Sequence, residues 1–127
     1  MVKTLANLFG AVFLLIGILG FIPDLAPHGM LVKTFQVNTA LNLLHLFAGV
    51  AGLWCGLSSG LAAKVYFRFF AAIFGLAAMM GFFASHGLLL GRIINNRADT
   101  WLHLGFAVLF LLFGFAPTQE PAISQLI

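Results

Sequence analysis

Four histidines stand in a chain of 127 residues that carries only nine Lys, Arg, Asp and Glu, and they form two matched pairs, His28 with His86 and His45 with His103, each 58 positions apart. An imidazole can exchange a proton, ligate a metal or haem iron, or donate and accept a hydrogen bond while neutral. The second pair recurs in one frame, "NTALNLLHLF" (38–47) and "NRADTWLHLG" (96–105), each with Asn, Ala and then Leu-His-Leu. Two imidazoles facing a common centre would suit an axially bis-histidine haem. Two imidazoles each facing an oxygen would tie helices together. Hydrolytic chemistry finds little support. The acids are Asp24, Asp99 and Glu120, and no serine or cysteine stands in register with a histidine, so no catalytic residue is assigned.

The elements that must position these side chains are membrane helices. Hydrophobic residues make up 62%, charged residues 7%, and the mean hydropathy is +1.11, so too few polar groups exist to coat a soluble domain. The net charge of +3 fits anionic lipid headgroups, and without a basic run it excludes a nucleic-acid partner. Cys55 is the single cysteine, so no internal disulfide can form. Apolar runs predict four spans, at about Leu5–Ile22, Ala40–Leu57, Ala62–Ser85 and Thr100–Ala116, with all four prolines outside them. No Ala-x-Ala-like site follows the first span, which is read as retained.

The histidine spacing belongs to a longer self-similarity. At an offset of 58, residues 28–56 match 86–114 at His28/His86, Gly29/Gly87, Asn38/Asn96, His45/His103 and Gly56/Gly114. The odd-numbered helices match at an offset of 61, as Phe13/Phe74 and Gly20/Gly81, which places three extra residues in the first loop around Pro23–Leu25. The predicted fold is all-α, a polytopic four-helix bundle of two tandem two-helix repeats, about 5–57 and 62–116, related by a pseudo-two-fold along the membrane normal. One transmembrane domain would span 1–127, with a polar tail at 117–127.

On the second helix Asn38, Asn42, His45, Gly49, Gly52 and Gly56 share a face at 3.6 residues per turn. The fourth presents Asn96, Thr100, His103, Ala107 and Gly114, with Asp99 one turn before the histidine. Small residues mark close helix approach in a bilayer, so both histidines should point into protein. The favoured reading makes them polar ties, His45 to Asn42 or Asn38 and His103 to Asp99 or Thr100. The alternative has His45 and His103 ligating haem b or a chlorophyll-like tetrapyrrole, with Gly49, Gly52 and Ala107 leaving room for the ring and Lys33, Arg92 or Arg97 meeting propionates. His28 and His86 have no zinc-ligand spacing and are read as two His-Gly turns, Gly29 and Gly87 taking positive φ.

The segments "NLLHLFAGVAGL" (42–53) and "DTWLHLGFAVLFLLFG" (99–114) resemble an uncharacterised family of small bacterial four-helix membrane proteins, a domain of unknown function, over nearly the whole chain up to Pro117. The resemblance implies the fold and the membrane location and brings no activity. The expected role is structural or accessory, without catalysis of its own, as a subunit of a larger membrane assembly or a homo-oligomer; electron transfer or light harvesting by a bound pigment is the alternative. The expected location is the bacterial cytoplasmic membrane or an internal membrane. Lys3, Lys64 and Arg68 on one side balance Lys33, Arg92 and Arg97 on the other, and an even number of spans with no cleaved signal favours cytoplasmic termini.

Overall fold

The computed structural model of the protein describes residues 1–84 and 87–117. Four helices, α1 (Val2–Leu19), α2 (Thr39–Ser58), α3 (Gly60–Phe83) and α4 (Arg97–Gly114), are each long and apolar enough to cross a bilayer. Their outer faces expose large apolar side chains such as Leu15, Phe47, Leu57 and Val108, as lipid contact requires. This is a four-helix membrane protein.

Side-chain caps set the starts of α2, α3 and α4. Asn38 accepts from the Leu41 N–H at 3.0 Å, and Ser59, the single residue between α2 and α3, accepts from the Ala62 N–H at 3.0 Å. At α4 Asn96 accepts from the Asp99 N–H and Asp99 accepts from the Asn96 N–H, both at 2.8 Å, a reciprocal capping box. That box starts α4 at Arg97, ahead of the expected Thr100, and brings Asp99 inside the first turn. The first span also moves, beginning at Val2 and ending at Leu19 where Leu5 and Ile22 were expected. Residues 20–26 instead fold into successive turns ahead of Pro27, with Leu25 and Ala26 both donating to the Ile22 carbonyl.

The connections at the other end hold two short hairpins that nothing in the sequence announced. Strands β1 (Met30–Leu31) and β2 (Phe35–Gln36) pair antiparallel, as do β3 (Leu88–Leu89) and β4 (Ile93–Ile94). Their registers, Leu31 opposite Phe35 and Leu89 opposite Ile93, stand at the 58-residue spacing of the histidines. Both turns place two residues at positive φ, Val32 and Lys33 at 54° and 58°, Leu90 and Gly91 at 52° and 69°. Such turns match strand twist, yet they ordinarily call for Asn-Gly, and a β-branched valine there is strained. Gly29 and Gly87 take the expected positive φ, 73° and 71°, and accept from the N–H of Val37 and Asn95. His28 is exposed at the same bend, whereas His86 lies outside the described residues.

Within the first half the helices meet backbone to backbone. A Cβ on Gly10 would stand 2.7 Å from the Leu53 nitrogen, and one on Gly49 2.6 Å from the Leu14 nitrogen. Between α3 and α4 the small buried residues are Ala71, Ala78 and Ala107, with Gly81 against Thr100 and Gly114 against Arg68. Phenylalanine rings fill the space between the two hairpins of helices, with Phe13, Phe67 and Phe110 fully buried. At the loop end each half reaches the other reciprocally. Asn38 donates through Nδ2 to the Arg92 carbonyl and Asn96 through Nδ2 to the Thr34 carbonyl, both at 2.8 Å. The Gln36 N–H adds a bond to Asp99 Oδ2 at 3.3 Å.

Candidate functional site

His45 on α2 and His103 on α4 each lie seven residues past the capping asparagine, about 10 Å along the helix axis at a 1.5 Å rise. Phe13 and Phe74 lie on the inward, small-residue stripes of α1 and α3, so all four helices bring a ring to one level. His45 stacks on Phe13 with centroids 5.9 Å apart and planes at 14°, and Phe74 on His103 at 5.7 Å and 19°. The two phenyl rings stack on each other at 5.4 Å and 26°, which links the imidazoles through a run of near-parallel rings.

Two apolar clefts flank this run, and both imidazoles line both of them. One, of about 260 Å³, lies between α2 and α3, with Leu44, Ala48, Phe70 and Ala77 on its walls and Leu89 and Ile93 of the second hairpin across its end. The other, of about 250 Å³, lies between α1 and α4, bounded by Ile16, Leu102 and Phe106 and closed by Leu31 and Phe35 of the first hairpin. The clefts differ in charge. Asp99 lines the second, where the first has Leu41 at the position 58 residues earlier.

The expected hydrogen bonds to the histidines are not made. Nδ1 of His45 and Nδ1 of His103 are sealed from solvent and have no partner among the described residues. The oxygens nominated for them are engaged elsewhere or turned away. Asn38 caps α2 and reaches Arg92, Asp99 serves Asn96 and Gln36, and Thr100 accepts from Asn95 Nδ2 at 2.8 Å while donating to the Asn96 carbonyl. Asn42 is 2% exposed and packs against Gly20, its own Oδ1 without a partner among the described residues. Polar side chains here thus tie loops and helix ends, and the imidazoles are left out.

The room expected beside Gly49 and Gly52 is also filled, since Leu14 and Gly10 of α1 occupy it. Lys33, Arg92 and Arg97 are exposed at the hairpin end and line neither cleft. Among the described residues no three His, Cys, Asp or Glu side chains gather as a metal site. Three polar participants escaped the sequence reading. Tyr66 donates from its buried hydroxyl to the Ala48 carbonyl at 3.0 Å, tying α3 to α2; Asn95 supports Thr100; and Gln36 acts through its backbone. Tyr66 is the chain's single tyrosine, a polar tip in an apolar run, and that was the available signal.

No curated protein and no solved structure matches the chain. A family model described as a domain of unknown function, DUF4383, matches residues 3–116, from the first turn of α1 to just beyond the end of α4, and the chain belongs to that family.

Proposed function

We propose that the protein is an accessory component of a bacterial membrane, without catalytic activity of its own, and that its two clefts hold an apolar guest against His45 and His103. The observation that carries this reading is the pair of buried imidazoles that line both clefts, each with an Nδ1 that has no partner among the described residues. A buried nitrogen left unpaired costs about 1–3 kcal/mol, so two of them in equivalent places call for a compensating role. The test is extraction of the protein purified in mild detergent, followed by mass spectrometry of what it retains. A lipophilic molecule held in stoichiometric amount, and lost when Ala48→Phe and Ala77→Phe fill the first cleft, supports the reading. Retention of bulk lipid alone in proportion to the membrane opposes it.

A second reading keeps His45 and His103 as ligands to haem b or a chlorophyll-like tetrapyrrole. In its favour both imidazoles share the same clefts. Against it, each cleft falls below the roughly 300 Å³ at which sites for drug-sized ligands begin, and Phe13 with Phe74 links the two rings. An absorption spectrum of the purified protein decides, because a Soret band that bleaches on His103→Ala would establish the pigment.

The same proposal treats residues 5–57 and 62–116 as tandem repeats within a single transmembrane domain, about an axis along the membrane normal. Support comes from the matched hairpin registers and from the reciprocal Asn38 and Asn96 bonds, whose acceptors Arg92 and Thr34 are also 58 apart. It places both termini in the cytoplasm, which a reporter active only outside the cytoplasm, fused at Ile127, would overturn. Membership of a larger membrane assembly or a homo-oligomer belongs to it too, and crosslinking in intact membranes tests that.

A further inference from the structure

The clefts restrict what the guest can be. Each imidazole sits about 10 Å below the capped helix starts, so a guest that meets it must carry a polar atom deep in the hydrocarbon. Charged groups do not reach that level cheaply, which excludes phospholipid headgroups and fatty-acid carboxylates as the partner of these nitrogens. The guest's polar atom is therefore uncharged and attached to an apolar body. The walls add aromatic faces, Phe70 and Phe74 in the first cleft, Phe35 and Phe106 in the second, suited to a flat ring. Neutral imidazole has one donor and one acceptor nitrogen, so it pairs equally with a carbonyl oxygen and with a hydroxyl.

Resting on the reading of the clefts as a site for an apolar guest, we propose that they bind a prenylated quinone and its quinol, ring against the phenylalanines and oxygen on His45 or His103, with the prenyl chain leaving into lipid. A quinone carbonyl accepts from the cleft-facing imidazole nitrogen when that nitrogen carries the proton, and a quinol hydroxyl donates to the same nitrogen in the other tautomer, so both redox states find a partner in the same place. The two clefts are inequivalent. Asp99 in the second can also accept from a quinol hydroxyl, an option that Leu41 denies the first. The quinol is thus held more tightly than the quinone in the Asp99 cleft alone.

The experiment uses the full chain in nanodiscs of synthetic phosphatidylcholine, titrated with a quinone bearing one isoprene unit, with its quinol, and with a prenyl hydrocarbon lacking the ring. Binding is followed by the imidazole nitrogen resonances of His45 and His103. Both resonances should move with quinone and quinol and stay still with the hydrocarbon. His103→Leu should weaken quinone binding about three- to tenfold, the loss of one neutral hydrogen bond, with recovery in His103→Gln. Where His103→Leu does not fold, His45→Leu and Asp99→Leu carry the comparison, and Asp99→Leu, which gives the second cleft the residue that stands at Leu41 in the first, should abolish the preference for quinol. Quinone binding no tighter than hydrocarbon binding overturns this proposal and leaves the apolar-guest reading standing. If neither probe binds, both fail.

Discussion

At the scale of single residues, the two imidazoles separate a binding role from a packing role. A histidine that ties helices loses about 1 kcal/mol or less with its hydrogen bond when replaced by leucine. An imidazole with an orphaned nitrogen loses nothing of that kind, and leucine removes a burial cost of roughly 1–3 kcal/mol. Thermal unfolding of guest-free protein in detergent should therefore show His103→Leu as stable as the parent or more so, and a fall in stability would return His103 to a structural role. The turn residues give a second measurement. Val32 and Lys33 both hold positive φ, at roughly 1–2 kcal/mol per residue, so Val32→Asn combined with Lys33→Gly should raise stability by about 1–2 kcal/mol. A neutral result would mean that the hairpin has another turn type. The positive φ of Gly29 and Gly87 was legible because glycine advertises it. The same conformation at Val32 and Leu90 was not, because the pairing of the flanking strands imposes it on residues that do not seek it. The positions of His45 and His103 could be read from the face they share with small residues, but their missing partners could not. Which oxygen a capping asparagine or Asp99 serves is decided by the loops.

Among the elements, the four helices were legible to within a few residues because apolar length is an unambiguous signal in a bilayer protein. Their ends were less so. Asp99 looked like a stop before the fourth span, yet its carboxylate closes the capping box from inside α4. The hairpins left no trace in "LVKTFQ" and "LLGRII", which lack the Asn-Gly that marks such turns. Glycines meant closeness where they recur on one face, and this can be measured. Gly49→Ala, whose new methyl would meet Leu14, should lower stability by about 1–3 kcal/mol. Gly105→Ala is the control, since Gly105 has nothing within 4 Å and lies inside a helix, and it should be neutral or stabilising by about 0.5–1 kcal/mol. Equal effects at the two positions would undo the claim that α1 and α2 are held by their backbones.

Over the whole molecule the inter-half contacts are unevenly distributed. On one side α2 and α3 are joined by Ser59 and tied again by the Tyr66 hydroxyl on Ala48. On the other side α1 and α4 meet through rings, Phe9 with Phe106, Phe110 and Phe113, and Phe13 with Phe106 and Phe110. Among the described residues no hydrogen bond joins α1 to α4. Mechanically this is a book. The spine runs along α2 and α3, the Asn38 and Asn96 bonds stitch the head of the pages, and the fore-edge at α1 and α4 is held by surfaces that can slide at little cost. Motion should concentrate at that edge, where the Asp99 cleft lies, so a guest would exchange faster there than in the spine cleft. Spin labels at Leu8 and Leu112 should accordingly give a broader distance distribution than labels at Leu57 and Leu61, and a guest that fills the fore-edge should narrow it.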